Sequence, residues 1–230
     1  MTAPLILLPG MMCDARLFAP QSAVLDATVM PITAADTVQV LAAEVLRSAR
    51  DRFALGGLSM GGIVAMEVVR QAPDRIAGLA LMDTNPLAET ADVKARRQPQ
   101  IDKVRAGGLA HVMRDEMKPH YLADGPDRDA ILDLCMEMAL DLGAEVFVRQ
   151  SRALRDRPDQ TETLRGYDGP ALVLCGRDDR LCPVTRHELM HALLPHATLR
   201  IIEGAGHLPT LERPAETTQA LQNWLEEIEP

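Results

Sequence analysis

The chain has 230 residues, of which 47% are hydrophobic, 25% charged and 3% aromatic, and its formal net charge is −9. This length suits a single domain, and the composition is that of an ordinary globular protein, which excludes a disordered or collagen-like chain. The acidic balance, without a basic stripe or a polybasic run, argues against nucleic acid and anionic membranes as partners.

The amino terminus and the cysteines bear on where the protein works. Residues 1–10 lack a positively charged start, and their apolar run of four is too short for a signal peptide or a membrane span. Cys13, Cys135, Cys175 and Cys182 include no Cys-x-x-Cys pair, and a chain of this size does not need disulfides. We therefore expect reduced thiols and a cytoplasmic protein.

Short apolar runs alternate with helical patterns along the chain. The apolar runs predict buried strands at residues 5–8, 53–58, 76–82, 172–175 and 199–202. Apolar residues at helical spacing predict helices at residues 37–50, 60–71, 184–194 and 215–228. Strands that alternate with helices of ten or more residues indicate a predominantly parallel sheet with helices on both faces, so the predicted class is α/β.

The strand pattern disappears between residues 86 and 167. Charged, Met-bearing stretches predict four helices there, at 96–104, 110–118, 128–140 and 144–154. Because strands resume at residue 172, an insertion in one sheet is more economical than a separate helical domain. We therefore predict a core of residues 1–85 and 168–230 and an inserted helical cap of residues 86–167.

A glycine-rich motif lies between the second predicted strand and the helix that follows it. Residues 56–62 read Gly-Gly-Leu-Ser-Met-Gly-Gly and contain Gly-x-Ser-x-Gly at Gly57, Ser59 and Gly61. In a sharp strand-to-helix turn, a nucleophile elbow, flanking glycines avoid clashes while the serine hydroxyl projects into a cleft. An idle serine in a glycine-rich connection is the alternative for the motif alone. Its position between strand and helix favours a nucleophile, and the patterns of nucleotide-binding loops are absent.

Four segments resemble the α/β-hydrolase superfamily. They are Leu-Pro-Gly near the start, Gly-Leu-Ser-Met-Gly-Gly, Gly-Arg-Asp-Asp-Arg-Leu-Cys-Pro and Gly-Ala-Gly-His-Leu-Pro-Thr-Leu-Glu-Arg-Pro. The resemblance covers nearly the whole chain outside the predicted cap, and the order serine, acid, histidine is the order of this superfamily. It implies an α/β-hydrolase fold that is trimmed at its amino-terminal side and begins at the third strand of the family's sheet.

The resemblance also assigns a base and an acid. A serine hydroxyl needs an imidazole to take its proton, and the imidazole needs a carboxylate to fix its tautomer. His207 matches the base in Gly-x-Gly-His, and Asp179 matches the acid in Gly-x-x-Asp-x-x-x-Pro. Asp83 and Asp178 remain alternatives for the acid. The other histidines are interpreted as ordinary solvated residues; they are His111, His120, His187, His191 and His196.

An oxyanion intermediate requires two backbone N–H donors, one after the nucleophile and one in the loop after the first strand. By the resemblance these donors are Met60 and Met11. The family usually has His-Gly at the second position, whereas this chain has Pro9-Gly10. That change removes a side chain that often braces the loop, so we expect it to affect the rate more than the mechanism.

Serine at the elbow disfavours dehalogenase and epoxide hydrolase chemistry, for which similar enzymes use aspartate. The resemblance implies a serine hydrolase that cleaves a small-molecule carboxylic ester through an acyl-enzyme, with no cofactor and no metal. Hydrolysis of lactones, thioesters or carbon–carbon bonds remains an alternative, as does a catalytically silent receptor or scaffold of the same fold. The expected partner is a small acyl substrate, and the formation of a homo-oligomer stays open.

The predicted cap carries four methionines that would give the substrate cavity a flexible apolar lining or would serve ordinary helix packing. These residues are Met113, Met117, Met136 and Met138.

Overall fold

The computed structural model describes residues 3–228. Within this range the strands are β1 (Leu5–Leu8), β2 (Ala27–Val29), β3 (Phe53–Leu58), β4 (Ile76–Met82), β5 (Ala171–Gly176) and β6 (Ala197–Ile202). They form one sheet in the order β2-β1-β3-β4-β5-β6, and every neighbouring pair is parallel. This arrangement confirms the predicted α/β class.

The central strands are apolar throughout because both faces of the sheet are covered. Every residue of β3, β4 and β5 is buried. In β1 the side chains alternate between two hydrophobic clusters, with Ile6 and Leu8 in one and Leu5 and Leu7 in the other. The core therefore has two layers, one on each face of the sheet.

The strand β2 was not among the predicted elements. It is only three residues long, lies at the edge of the sheet, and pairs with β1 through Leu5 and Ala27. Its residues are partly or fully exposed, so they do not form the apolar run by which the other strands are recognised. The expectation of five strands was therefore wrong by this one.

The long helices are α1 (Val38–Ser48), α2 (Met60–Gln71), α3 (Ala91–Lys103), α4 (Arg128–Arg155), α5 (Val184–Leu193) and α6 (Pro214–Glu226). Shorter helices are Ala15–Phe18, Ala19–Ser22, Pro73–Arg75, Leu109–His111, Lys118–His120, Thr161–Arg165 and Pro209–Glu212. The predictions for α1, α2, α5 and α6 are confirmed to within two residues at each end. Thr37 is the N-cap of α1, and its side chain accepts a hydrogen bond from Val40 N–H at 3.3 Å.

The segment between β4 and β5 is helical, as predicted, but its details differ. The two helices predicted at 128–140 and 144–154 are confirmed: together they make up α4, and they meet at a kink at Gly143, whose φ of 80° and ψ of 174° are not helical. The helix predicted at 110–118 lies within a helical stretch of residues 109–120, of which residues 112–117 form the wider turns of a π-helix. Val146 and Phe147 of α4 belong to the same hydrophobic cluster as Ile6 and Leu8 of β1 and the buried apolar residues of α2. The division of the chain into core and cap at residues 86 and 167 stays a prediction.

Two further expectations concern the cysteine thiols and membrane-spanning helices. All four cysteines carry free thiols, and three of them are buried. No helix in residues 3–228 combines the length and the apolar composition that a bilayer crossing requires.

Candidate active site

Ser59 occupies a tight turn between β3 and α2. Its backbone has φ 55° and ψ −115°, an unfavourable conformation for a residue with a side chain, and its N–H donates to Met82 O at 2.9 Å. A Cβ at Gly57 would lie 2.3 Å from the Gly61 carbonyl carbon, and one at Gly61 would lie 2.0 Å from Leu8 O. Both glycines of the motif are therefore required by the close packing of the turn.

A chain of hydrogen bonds joins the three residues singled out by the sequence motifs. His207 Nε2 lies 2.9 Å from Ser59 Oγ, and His207 Nδ1 lies 2.8 Å from Asp179 Oδ2. The three residues follow the carboxyl ends of β3, β5 and β6, which meet at one edge of a parallel sheet. Because Nδ1–H donates to the Asp179 carboxylate, Nε2 is left free to accept the Ser59 hydroxyl proton.

The Asp179 carboxylate is held by its own loop. Its Oδ1 accepts hydrogen bonds from Leu181 N–H at 2.8 Å and Cys182 N–H at 3.0 Å. Burial raises the pKa of Asp179, but the facing His207 and the two backbone N–H groups outweigh it, so the pKa lies below its ordinary value. Asp179 is therefore ionised at neutral pH and can stabilise a positive charge on His207.

The two alternative acids have different surroundings from those of Asp179. Asp178 is exposed to solvent, whereas Asp83 is fully buried with φ 45° and accepts a hydrogen bond from Gly176 N–H at 2.9 Å. Burial, and then the neighbouring Asp179 carboxylate, raise the pKa of Asp83 well above its ordinary value. No hydrogen bond in the described chain joins either alternative to His207.

The loop that carries His207 is braced on both sides. His207 N–H donates to Tyr121 O at 2.6 Å. The Glu212 carboxylate accepts hydrogen bonds from the N–H groups of Gly206 at 2.8 Å, Leu208 at 2.9 Å and Ala123 at 2.8 Å. Burial raises the pKa of Glu212 despite these bonds. Glu212 belongs to the quoted histidine motif, but sequence reasoning gave it no role.

Of the two predicted oxyanion donors, Met60 directly follows Ser59 and Met11 lines the same cavity as Ser59. Met60 begins α2, Met11 lies in the loop after β1, and neither N–H donates to a protein acceptor within residues 3–228. The next residue, Met12, has φ 56° and donates its N–H to Gln150 Oε1 at 2.8 Å. Gln150 is fully buried on α4, and its Nε2 donates to Ile32 O at 3.0 Å. A buried amide from α4 thus braces the loop that a histidine often supports in the family.

The interpretation of His187 as a solvated residue was wrong. This side chain is fully buried on α5, and its Nε2 accepts a hydrogen bond from Thr84 N–H at 3.1 Å. Chiefly because of burial, the pKa of His187 falls to about 4. His187 is therefore neutral at physiological pH and supports the turn that follows Asp83.

A cavity of about 530 Å³ opens beside Ser59 and His207. Met11 and Tyr121 line it, and so does Met117, one of the four methionines considered as a flexible lining. The other three pack in or against the hydrophobic clusters, as ordinary helix residues do; these are Met113, Met136 and Met138.

In the described part of the chain, one group of side chains has its potential metal ligands close together. The ligand atoms of Asp179, Cys182 and His207 lie within 4.8 Å of one another. Asp179 and His207 are hydrogen bonded to each other, and burial raises the pKa of the Cys182 thiol well above its ordinary value. The geometry therefore suits proton transfer better than metal ligation.

The sequence model of the Alpha/beta hydrolase family matches residues 7–220. The chain belongs to this family. This α/β hydrolase is 26% identical over 194 residues to the pimeloyl-[acyl-carrier protein] methyl ester esterase of Salmonella newport (strain SL254). The alignment covers 80% of this chain and 74% of the relative.

Two solved structures share the fold of this chain. A thermophilic esterase from Thermogutta terrifontis, solved with malate bound, matches with a TM-score of 0.90 and 28% identity, over 99% of this chain and 91% of the esterase. The enol-lactonase from Burkholderia xenovorans LB400 matches with a TM-score of 0.85, over 99% of this chain and 93% of the lactonase. Its identity is only 22%, so this second likeness establishes the shared fold alone.

Proposed function

We propose that this α/β hydrolase is a serine esterase that cleaves a small-molecule carboxylic ester through an acyl-enzyme on Ser59. The observation that carries the proposal is the unbroken hydrogen-bonded path from Ser59 through His207 to Asp179, beside a cavity of about 530 Å³. The esterases that are 26% and 28% identical to this chain support ester hydrolysis over the other reactions of the family.

The proposed reaction begins when Ser59 Oγ attacks the ester carbonyl carbon and His207 Nε2 accepts the serine proton. The ionised Asp179 keeps the second imidazole proton on Nδ1 and stabilises the imidazolium. Backbone N–H groups of Met60 and Met11 donate to the oxyanion. The imidazolium protonates the departing alkoxide, which leaves as the alcohol. Water activated by His207 then hydrolyses the acyl-enzyme and releases the carboxylic acid.

We further propose that residues 86–167 act as a cap over this reaction. Leu87, Val93, Met117 and Leu154 from this segment line the same cavity as Ser59, which supports the assignment. A cap of this kind would exclude water and select the substrate by shape.

Lactones, thioesters and carbon–carbon bonds could be cleaved by the same three residues, and a catalytically silent receptor could share the fold. An idle receptor has no need of an ionised acid, an oriented imidazole and a strained serine. The combination of these features therefore favours an active hydrolase.

The test is intact-mass spectrometry after incubation with a fluorophosphonate, followed by assays with p-nitrophenyl esters of increasing acyl length. We expect one adduct on the wild type and none on Ser59→Ala or His207→Ala. Ser48→Ala is the matched control, because Ser48 is exposed at the end of α1. No adduct on the folded wild type would reject the esterase and favour the receptor.

A further inference from the structure

The wall of the cavity beside Ser59 is strongly positive, although the whole chain has a net charge of −9. Among the described residues, Glu89 is the only acidic side chain that lines this cavity. Five arginines line it: Arg96, Arg97, Arg157, Arg180 and Arg186. An excess of positive charge in a partly closed cavity attracts anions far more strongly than the same charges spread over a surface.

Two of these arginines share a single carboxylate. Arg157 donates from Nε to Leu87 O at 3.0 Å and from Nη1 to Glu89 Oε1 at 3.1 Å, and Arg97 also binds Glu89. The Arg157 side chain is only 9% exposed, and its Nη2 has no hydrogen-bond partner among residues 3–228. Burial lowers the pKa of Arg157, with Glu89 opposing and Arg97 adding to that effect. The Glu89 carboxylate is thus the shared counter-ion of two guanidinium groups.

The remaining three arginines are not paired at all in the described structure. No hydrogen bond or ion pair involves the side chains of Arg96, Arg180 or Arg186, which come from α3, the loop after β5 and α5. Arg96 and Arg180 are exposed, whereas Arg186 is half-buried. The ion pairs with Glu89 explain how Arg97 and Arg157 are held in place, but they leave these three charges without a structural role.

We infer that the substrate carries an anionic oxyacid group, a carboxylate or a phosphate, in addition to the ester bond that Ser59 attacks. This inference rests on the proposed function. The planar guanidinium fork matches both kinds of oxyanion, and Arg157 lines the cavity with an Nη2 that makes no hydrogen bond to the described residues and is available to donate. A buried cation is costly without sufficient counter-charge, and the bound anion supplies it, whereas a neutral ester does not.

The first experiment compares anionic and neutral esters of equal length. Monomethyl esters of dicarboxylic acids, from succinate to suberate, are measured against methyl alkanoates with the same number of backbone carbons. In a second arm, the acetate ester of glycerol 3-phosphate is measured against glycerol monoacetate. We expect kcat/KM to be about 10- to 100-fold higher for the anionic member of at least one arm, the size of a charge-assisted hydrogen bond. The arm with the preference identifies the carboxylate or the phosphate.

The second experiment assigns the preference to the arginines. Arg157→Gln and Arg186→Gln should each lower the ratio of anionic to neutral kcat/KM about 10-fold. Arg47→Gln, on the exposed face of α1 with its side chain 70% exposed, removes the same charge and should leave the ratio unchanged. Arg186→Gln keeps the test valid if Arg157→Gln fails to fold.

Three results separate this inference from the proposed esterase. Hydrolysis of neutral esters with no anionic preference in either arm would overturn the inference and keep the esterase. A preference that survives in both folded arginine variants would overturn the role given to the arginines. Absence of both turnover and the fluorophosphonate adduct would overturn the proposed function itself.

Discussion

At the level of single residues, two neighbouring aspartates have opposite environments. Asp179 is buried and hydrogen bonded to His207, whereas Asp178 is exposed. Because Asp178 and Asp179 have the same side chain, substituting each in turn tests which carboxylate supports the His207 imidazole.

We predict that Asp179→Asn lowers kcat by about 10⁴-fold, because an amide cannot hold the imidazole in the required tautomer or stabilise its charge. Asp178→Asn should stay within about twofold of wild type because its side chain faces solvent. Steady-state kinetics with a p-nitrophenyl ester would measure both. Equal losses in the two variants, with both folded, would contradict the assignment of the acid.

Asp83 has a different role in the same region. Burial and the neighbouring Asp179 carboxylate raise its pKa, which favours the protonated form, and its Oδ1 accepts a hydrogen bond from Gly176 N–H, at the end of the strand that leads to Asp179. We predict that Asp83→Asn, which is neutral and keeps a carbonyl oxygen, retains most activity, while Asp83→Leu loses the Gly176 bond and about 1–3 kcal/mol of stability. Urea unfolding and kinetics would decide. A loss in Asp83→Asn as large as in Asp179→Asn would show that Asp83 must ionise.

At the level of elements, the turn between β3 and α2 leaves no space for side chains at its glycines. A Cβ at Gly61 meets Leu8 O, a backbone atom that cannot rotate away. We predict that Gly61→Ala lowers the free energy of unfolding by about 3 kcal/mol. Gly125→Ala, where no atom lies within 4 Å of the added Cβ, should change it by less than about 0.5 kcal/mol. Chemical denaturation measures both, and equal stability of the two variants would refute this account.

The helix α4 acts on the loop after β1 through Gln150. Removing this side chain leaves Met12 N–H and Ile32 O without their buried partner. We predict that Gln150→Ala lowers stability by about 2 kcal/mol and lowers kcat about 10- to 100-fold, with a smaller effect on KM. The surface variant Gln219→Ala is the matched control. An unchanged kcat in fully folded Gln150→Ala would limit this residue to a structural role.

At the level of the whole molecule, His187 makes stability depend on pH. Its folded pKa of about 4 lies below the ordinary histidine value of 6.5, so between these values the unfolded chain binds a proton that the folded chain does not. The contribution of His187 is therefore complete above pH 6.5 and is lost as the pH falls towards 4.

We predict that the stability advantage of wild type over His187→Gln shrinks by about 2 kcal/mol between pH 6.5 and pH 5. Glutamine keeps an acceptor for Thr84 N–H but does not titrate. The raised pKa of Asp83 has the opposite effect and favours the folded chain as the pH falls. Because wild type and His187→Gln both contain Asp83, its effect cancels when their stabilities are subtracted. Urea unfolding at both pH values is the measurement, and a constant difference would mean that the pKa of His187 is the same in the folded and the unfolded chain.

Much of the fold could be predicted because its signals are local. Buried strands such as β4 are continuous apolar runs, and the strand-to-helix turn requires small residues at Gly57 and Gly61. The edge strand β2 could not be recognised because partial exposure removes the apolar run from its sequence. The two helices predicted at 128–140 and 144–154 are present, and they meet at the kink at Gly143.

Residues of the candidate site could be predicted where they belong to a recognisable sequence motif. They could not be predicted where a side chain distant in sequence contacts the site. His207 stands in such a motif, so its contact with Ser59 could be anticipated. Gln150 contacts Met12 from 138 residues away, and no spacing in the sequence encodes that contact. The burial of His187 likewise depends on which face of α5 meets the sheet, a face that the mixed composition of this helix does not reveal.

The position of Gln150 has a consequence for how the cavity can open. The helix that carries this amide belongs to the segment proposed as the cap, and it also holds the loop with Met11 and Met12. Lifting α4 away from the sheet would therefore release the loop that carries Met11, one of the two proposed oxyanion donors, at the same time as it admits solvent. An open form would be a poor catalyst, so substrate entry and catalytic competence would alternate rather than coincide.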